Sequence, residues 1–126
     1  MHKSRLGAVI IDCHTDDLDA AAAFWAQSLG YRVGDEQPDA RYRHLLGPGG
    51  EVSVLVQAVE HDSRVHLDIE SDDIEAEVAR LESLGARRVE ALKGWVVMEA
   101  PTGHRFCVIG SNRPDLAEHG KGNVWD

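Results

Sequence analysis

The chain has 126 residues and a formal net charge of -9, from 22 Asp and Glu against 13 Lys and Arg. Apolar residues make up 43% and charged residues 28%, an ordinary globular composition at a length that allows one domain or two mutually dependent halves. The acidic balance repels phosphate backbones and anionic lipid, and no stretch approaches the roughly 18 apolar residues of a membrane span. We therefore expect no nucleic-acid partner and no membrane association.

The two cysteines, Cys13 and Cys107, are not expected to form a disulfide. The short apolar run near the N-terminus ends at Asp12, well before the core of a signal peptide would finish. A soluble domain of this length also has no need of a covalent crosslink. The sequence thus predicts a reduced, cytoplasmic protein.

Two segments of the chain resemble each other, IIDCHTDDLDAAAAFWAQSLGYRV at 10–33 and HLDIESDDIEAEVARLESLGARRV at 66–89. Each begins as a strand and continues through acidic residues into a helix that ends in Leu-Gly. The predicted N-caps are Asp16 or Asp17 for the first helix and Asp72 or Asp73 for the second, since a carboxylate accepts from the free amide groups of a helix start. Gly30 and Gly85 provide the left-handed residue that follows a helix. The chain is therefore interpreted as an internal repeat.

Apolar residues at helical spacing predict one buried stripe on each helix. Phe24 and Trp25 lie in the first helix and are expected in its core. Extended segments are predicted at 31–34, 42–46 and 51–59 in the first half, and at 87–92, 95–99 and 104–109 in the second. Each half thus contains a strand, a helix and three strands, and the polar, Gly-rich tail at 111–126 is expected to be a loosely packed extension.

This arrangement resembles the vicinal oxygen chelate superfamily over about residues 6 to 110, most of all its small glyoxalase-like and bleomycin-resistance-like members. The resemblance implies an α+β fold in which two tandem βαβββ modules, 6–59 and 64–110, form a curved eight-stranded mixed sheet with the helices outside and a cavity within. A single domain at 1–110 followed by the polar extension at 111–126 is the expected organisation. Members of this kind often pair, so a homodimer is also expected.

The segment that begins the second module shows a period of two. Val65, Leu67 and Ile69 alternate with His66 and Asp68, which predicts apolar side chains against the helix and polar ones towards the concave face. By the repeat, Asp12 matches Asp68.

The resemblance also provides a test for a metal. Metal-dependent relatives carry one ligand on the first and one on the last strand of each module, and the matched residues are Ile10, Ser53, His66 and Cys107. Only His66 is a usual ligand type there, whereas a catalytic site generally has three protein ligands. We therefore predict no complete divalent-metal site and no cofactor, with a divalent metal at His66 as the alternative.

Three functions are left open. The favoured one is a glyoxalase-like protein that binds a small molecule, with His66 and Asp68 as candidate catalytic residues. Trp95 and Met98 would add apolar area to the pocket. The alternatives are a metal-dependent lyase, isomerase or dioxygenase with His66 as a ligand, and a metal-free lyase or isomerase that uses His66 and Asp68. The candidate ligand-binding residues are Asp12, Ser53, Gln57, Trp95 and Cys107.

Overall fold

The computed structural model describes residues 1–35, 39–49, 51–111, 114–118 and 120–126. The chain divides into two compact units, which we call the central unit (Ala8–His66) and the terminal unit (Met1–Gly7 with Leu67–Asp126). The elements in chain order are β1 (His2–Cys13), α1 (Leu18–Leu29), β2 (Arg32–Val33), β3 (Tyr42–Leu46), β4 (Ser53–Ala58), β5 (Arg64–Ser71), α2 (Ile74–Ser83), β6 (Arg87–Leu92), β7 (Trp95–Glu99), β8 (Arg105–Gly110), a 3-10 helix (Pro114–Ala117) and β9 (Asn123–Trp125).

The predicted α+β fold class is confirmed. Among the described residues, two α-helices accompany a mixed, open sheet of more than eight strands. The central unit has the strand order β2-β3-β4-β1, in which β4 and β1 are parallel and the other pairs antiparallel. The terminal unit has the order β5-β8-β7-β6, in which β5 and β8 are parallel. The predicted element order, a strand, a helix and three strands, occurs twice.

Both helices begin at the predicted acidic caps, and α1 ends at Leu29 as predicted, whereas α2 ends at Ser83, one residue before the predicted Leu84. The side chains of Asp17 and Asp73 each accept a hydrogen bond of 3.1 Å from the backbone N–H three residues further on. Gly30 takes a φ of 74° and Gly85 a φ of 107°, the left-handed region that favours glycine. The free amide groups at the helix starts are therefore satisfied locally.

In the central unit, α1 packs on one face of the strands. Alternation along β1 puts Ile11 and Cys13 on this face, so that Ile10 and Asp12 point to the other. Phe24, which was expected in the core, is instead exposed, and it meets the ring of Trp25 edge-on at 5.1 Å between centroids. The buried members of this core are Ile11, Cys13, Leu18, Ala22, Ala26, Leu45, Val54 and Val56.

In the terminal unit, α2 covers a second core of five buried side chains. Met98, a candidate for the pocket by sequence, is completely buried in this core and is therefore not available to a ligand. The core consists of Val78, Leu81, Val96, Met98 and Val108.

The orientation predicted for β5 is only partly right. Ile69 packs against the core of α2, as alternation requires. Leu67 is 46% exposed and Val65 is 56% exposed. Alternation determines which residues share a face of a strand, but it does not determine how far a helix covers that face.

A buried polar network organises the terminal unit around Glu77 of α2. The Glu77 carboxylate is fully buried and lies 2.7 Å from Nε2 of His2, and it accepts from Ser4 Oγ at 2.9 Å. Arg80 donates to both of its oxygens, at 2.9 and 2.8 Å. The guanidinium of Arg80 also lies 3.8 Å from the ring centroid of Trp125, a cation–π contact.

The tail is not the loose extension that the sequence predicted. Leu116 is buried, and β9 pairs antiparallel with the first residues of β1. Trp125 Nε1 donates to Ser4 Oγ at 2.8 Å. A few apolar and aromatic residues are thus enough to fix a segment whose composition is mostly polar. No helix in the described part of the chain is long and apolar enough to cross a membrane.

We predict that Glu77→Gln destabilises the protein at neutral pH and weakens its sensitivity to acid. Burial alone would raise the pKa of Glu77, but hydrogen bonds from Arg80, His2 and Ser4 outweigh burial and lower this pKa to about 2. A carboxylate with a lowered folded pKa stabilises the fold above its unfolded pKa of 4.5, and this stabilisation is lost as the pH falls towards about 2. Its size at neutral pH is about 3 kcal/mol.

Urea unfolding from about pH 7 down to about pH 3 measures the effect. The matched control is Glu75→Gln on the same helix, because the Glu75 carboxylate is exposed and pairs only at the surface with Arg88. If the free energy of unfolding of Glu77→Gln followed the same pH dependence as the wild type, the assignment would be wrong.

We predict that Cys13 does not react with thiol reagents while the protein is folded. Both cysteines are free thiols, as expected. Burial raises the pKa of the Cys13 thiol, and the charge of Asp12 raises this pKa further. In Cys107→Ser protein, labelling by an aromatic disulfide should be more than about tenfold slower in the native state than in urea. Cys13→Ser is the control. Rapid labelling of native Cys107→Ser protein would contradict the prediction.

Candidate functional site

A row of polar side chains crosses the face of the central unit that points away from α1. Asp12 of β1 is paired with Gln57 of β4, and Gln57 is paired with Tyr42 of β3. Residues paired across a ladder project from the same side of a sheet. The three side chains therefore lie next to one another on a face that the core of α1 does not use.

Asp12 is the buried charge of this face. It is only 2% exposed, and its Oδ2 lies 2.7 Å from Nδ1 of His66. Arg64 Nε lies 3.9 Å from the same oxygen, too far for a hydrogen bond. The other oxygen, Oδ1, is buried and has no hydrogen-bond partner among the residues that the structure describes. We call Asp12, His66, Gln57 and Tyr42 the Asp12 site.

The contact between Asp12 and His66 determines the chemistry of the imidazole. An ionised carboxylate can only accept, so Nδ1 of His66 carries the proton that it donates to Asp12. In the neutral ring, Nε2 is then an acceptor. A carboxylate in this position also stabilises the imidazolium if the ring takes up a second proton. The pair can therefore orient a histidine for hydrogen bonding or for proton transfer.

The structure brings Gln57 to Asp12 but leaves Ser53 away from it. Gln57 Nε2 donates to the hydroxyl oxygen of Tyr42 at 2.9 Å. Ser53 is paired with Ala8, at the other end of the β1–β4 ladder. At about 3.3 Å per residue, Ser53 is about 13 Å from Gln57 along the strand. Of the two candidate residues on β4, only Gln57 belongs to the Asp12 site.

The remaining candidates lie in the terminal unit. Asp68 is paired with Cys107, and both are partly buried. Trp95 is paired with Ile109 and is 41% exposed. Alternation along β7 and β8 puts Trp95 and Cys107 on the face away from α2. Asp68, Cys107 and Trp95 are thus partly or largely accessible side chains of one sheet face.

Two residues of the central unit were missed by the sequence reasoning. Tyr42 begins β3, and its role depends on the register between β3 and β4, which no local pattern encodes. Arg64 precedes His66 by two residues on the same strand. The alternation that identified His66 and Asp68 puts Arg64 on the same face of the strand. The sequence pattern could therefore have identified Arg64 as well.

The chain matches the glyoxalase-like domain family over residues 8–109. No match is found among curated proteins. Solved structures with a similar fold include a hypothetical protein from Bacillus halodurans, at 11% identity and a TM-score of 0.60, with 87% of this chain and 96% of that chain covered. Methylmalonyl-CoA epimerase from Mycobacterium tuberculosis is similar at 20% identity and a TM-score of 0.61, over 89% of this chain and 90% of that one.

A third structure is a variant of the Streptomyces coelicolor methylmalonyl-CoA epimerase in complex with 2-nitronate-propionyl-CoA, at 17% identity and a TM-score of 0.56, with 86% and 94% covered. At these identities the similarity concerns the fold, which is that of the vicinal oxygen chelate superfamily. The family match spans most of the chain, and the protein belongs to the glyoxalase-like domain family.

Proposed function

We propose that this protein binds a small organic molecule at the Asp12 site, without the usual divalent-metal centre of its superfamily. The observation that carries the proposal is the buried Asp12 carboxylate, held by His66 at 2.7 Å on a face that the hydrophobic core does not use. A buried charge is costly unless it is compensated, and such groups concentrate at functional sites. Gln57 and Tyr42 add hydrogen-bonding groups in the same row.

The composition of the face suits a small polar ligand. Binding sites of this kind place a few fixed polar groups among apolar neighbours. Ile10 and Leu55 form the next pair along the ladder from Asp12 and Gln57, on the same face. A molecule with an apolar body and a polar end would be complementary to this surface.

Structural neighbours support an organic ligand. The methylmalonyl-CoA epimerases with this fold have been solved with methylmalonyl-CoA and with 2-nitronate-propionyl-CoA. The fold can therefore hold a small organic acyl compound. The class of compound bound by this chain depends on its own side chains.

The four matched metal positions carry an incomplete set of the usual ligands. Ile10 is buried and has no donor atom. Ser53 is a poor ligand for a divalent ion, and Cys107 stands where relatives have a carboxylate. Of the four matched positions, only His66 carries a ligand of the usual type, whereas a catalytic centre generally has three protein ligands.

A second candidate function is acid–base catalysis in which His66 moves a proton of the bound molecule. The contact from Asp12 to Nδ1 favours it, because a carboxylate there orients the ring and stabilises its protonated form. Asp68, the other candidate catalytic residue, follows His66 by two positions on the same strand. Turnover of a bound compound that is lost in His66→Gln would establish this activity.

The homodimer expected from the resemblance is also part of the proposal. Val65 and Leu67 are exposed apolar side chains of β5. A second copy would remove such surface from water.

We predict that a screen of aromatic thiols, aldehydes, cationic drugs and a CoA thioester by thermal shift finds a stabilising compound. A ligand present at ten times its Kd stabilises the native state by about 1.4 kcal/mol. For a chain of this size, that corresponds to an increase in Tm of about 5 °C. The shift should disappear in Asp12→Asn and persist in the control Asp16→Asn, whose residue is exposed. A flat screen would count against the proposed function.

We predict that the purified protein, after mild chelation and reconstitution with Zn, Ni, Fe or Mn ions, takes up no stoichiometric metal. Elemental analysis measures the metal content per chain. The test variant is His66→Ala. The matched control is His104→Ala, because His104 is exposed. Uptake of one ion per chain that is lost only in His66→Ala would overturn the metal-free part of the proposal and support a metal-dependent enzyme instead.

A further inference from the structure

We infer that the ligand of the Asp12 site presents a planar cation, an amidinium or guanidinium group, which pairs with the Asp12 carboxylate and displaces Arg64 from it. The inference rests on the proposed function and specifies the chemical class of the compound. It is drawn from the incomplete pairing of Asp12 and from the position of Arg64.

One oxygen of the Asp12 carboxylate is unsatisfied among the described residues. A carboxylate at 2% exposure has lost its hydration, yet Oδ1 has no hydrogen-bond partner in the described part of the chain. A buried acceptor without a partner costs free energy that a ligand donor can recover. Since a carboxylate accepts only, the ligand atom that meets Asp12 must be a donor.

Arg64 makes only a weak contact with Asp12. Its Nε lies 3.9 Å from Asp12 Oδ2, and the side chain is 51% exposed. At this distance and exposure the pair is a weak ion pair without a hydrogen bond. Arg64 thus approaches the carboxylate without satisfying it. A ligand with the same planar, cationic chemistry could take its place and form two parallel hydrogen bonds.

The charge of the Asp12–His66 pair and of the whole chain also favours a cationic ligand. His66 donates to Oδ2 from Nδ1, which uses one acceptor site of Asp12 but leaves the pair with a net negative charge when the ring is neutral. The chain as a whole carries a formal net charge of -9, and a field of this sign favours the approach of a cation over that of an anion. An anionic ligand would meet repulsion at Asp12, and a neutral one would gain less from the same contact.

The experiment compares three compounds of nearly the same shape and different charge: benzamidine, benzamide and benzoate. Each is titrated into the wild-type chain, and affinity and location are read from two-dimensional NMR of the backbone, the Gln57 side-chain amide and the His66 ring. We expect benzamidine to bind at least about tenfold more tightly than benzamide, since charge-assisted bidentate hydrogen bonds are stronger. We expect no binding of benzoate.

Two variants test the residues. Asp12→Asn should lose the preference for benzamidine over benzamide, whereas the matched control Asp16→Asn should keep it. Arg64→Gln should bind benzamidine more tightly, by up to about fivefold, because the competing internal cation is removed. The wild-type titration does not depend on any variant, so it decides the question even if Asp12→Asn fails to fold.

The possible results distinguish a wrong ligand class from a wrong proposed function. Equal binding of benzamide and benzamidine, with shifts at Gln57 and His66, would overturn the cationic class and leave small-molecule binding intact. Weaker binding of benzamidine by Arg64→Gln would overturn the displacement of Arg64. If none of the three compounds binds and the wider thermal-shift screen is also flat, both the inference and the proposed function are wrong.

Discussion

The pairing of buried carboxylates is the constraint on which both units depend. Asp12, Glu70 and Glu77 are each exposed by 2% or less. An ionised carboxylate in a protein interior costs several kcal/mol unless opposite charge and hydrogen bonds compensate it. The partners come from distant parts of the chain: His66 for Asp12, Arg5 for Glu70, and His2 for Glu77. The burial of these three side chains thus requires long-range contacts to be in place.

The carboxylates differ in how completely they are paired. Both oxygens of Glu77 accept hydrogen bonds, and Glu70 forms an ion pair with Arg5, which also reaches Asp115 of the tail. These groups fix the terminal unit. One oxygen of Asp12 contacts His66, and the other has no hydrogen-bond partner among the residues that the structure describes. Polar groups of a stable fold are normally satisfied, and exceptions concentrate where the protein needs them for function. This difference separates the candidate site from the structural network.

The fold could be predicted from the sequence where the determining pattern is local. The helix caps depend on one carboxylate and the next turn of backbone, and they are confirmed at Asp17 and Asp73. The strands at 42–46, 87–92 and 95–99 have the predicted ends, since turn residues and alternation mark them. The exposure of Val65 and the burial of Leu116 were not predictable, because each depends on which distant element covers that position. The candidate site was predictable in part. Alternation along the strands identified Asp12 and His66 as polar residues, but it could not predict their contact, which joins positions 54 residues apart.

A resident metal and an organic cation are two ways to balance the same negative charge. In relatives with a complete ligand set, a divalent ion provides positive charge at the matched positions. Here Ile10 contributes no donor, and it lies buried two residues before Asp12 on the same face of β1. A strand that has hydrocarbon at the ligand position and a buried carboxylate beside it is a poor site for a transition metal. The same strand is a good binding site for a flat, amphipathic cation. The hydrocarbon can cover the apolar body of the molecule, and the carboxylate can accept hydrogen bonds from its N–H groups. Ile10 at this position is therefore compatible with the proposed binding of an organic cation, a group of the same kind as the half-exposed Arg64 guanidinium.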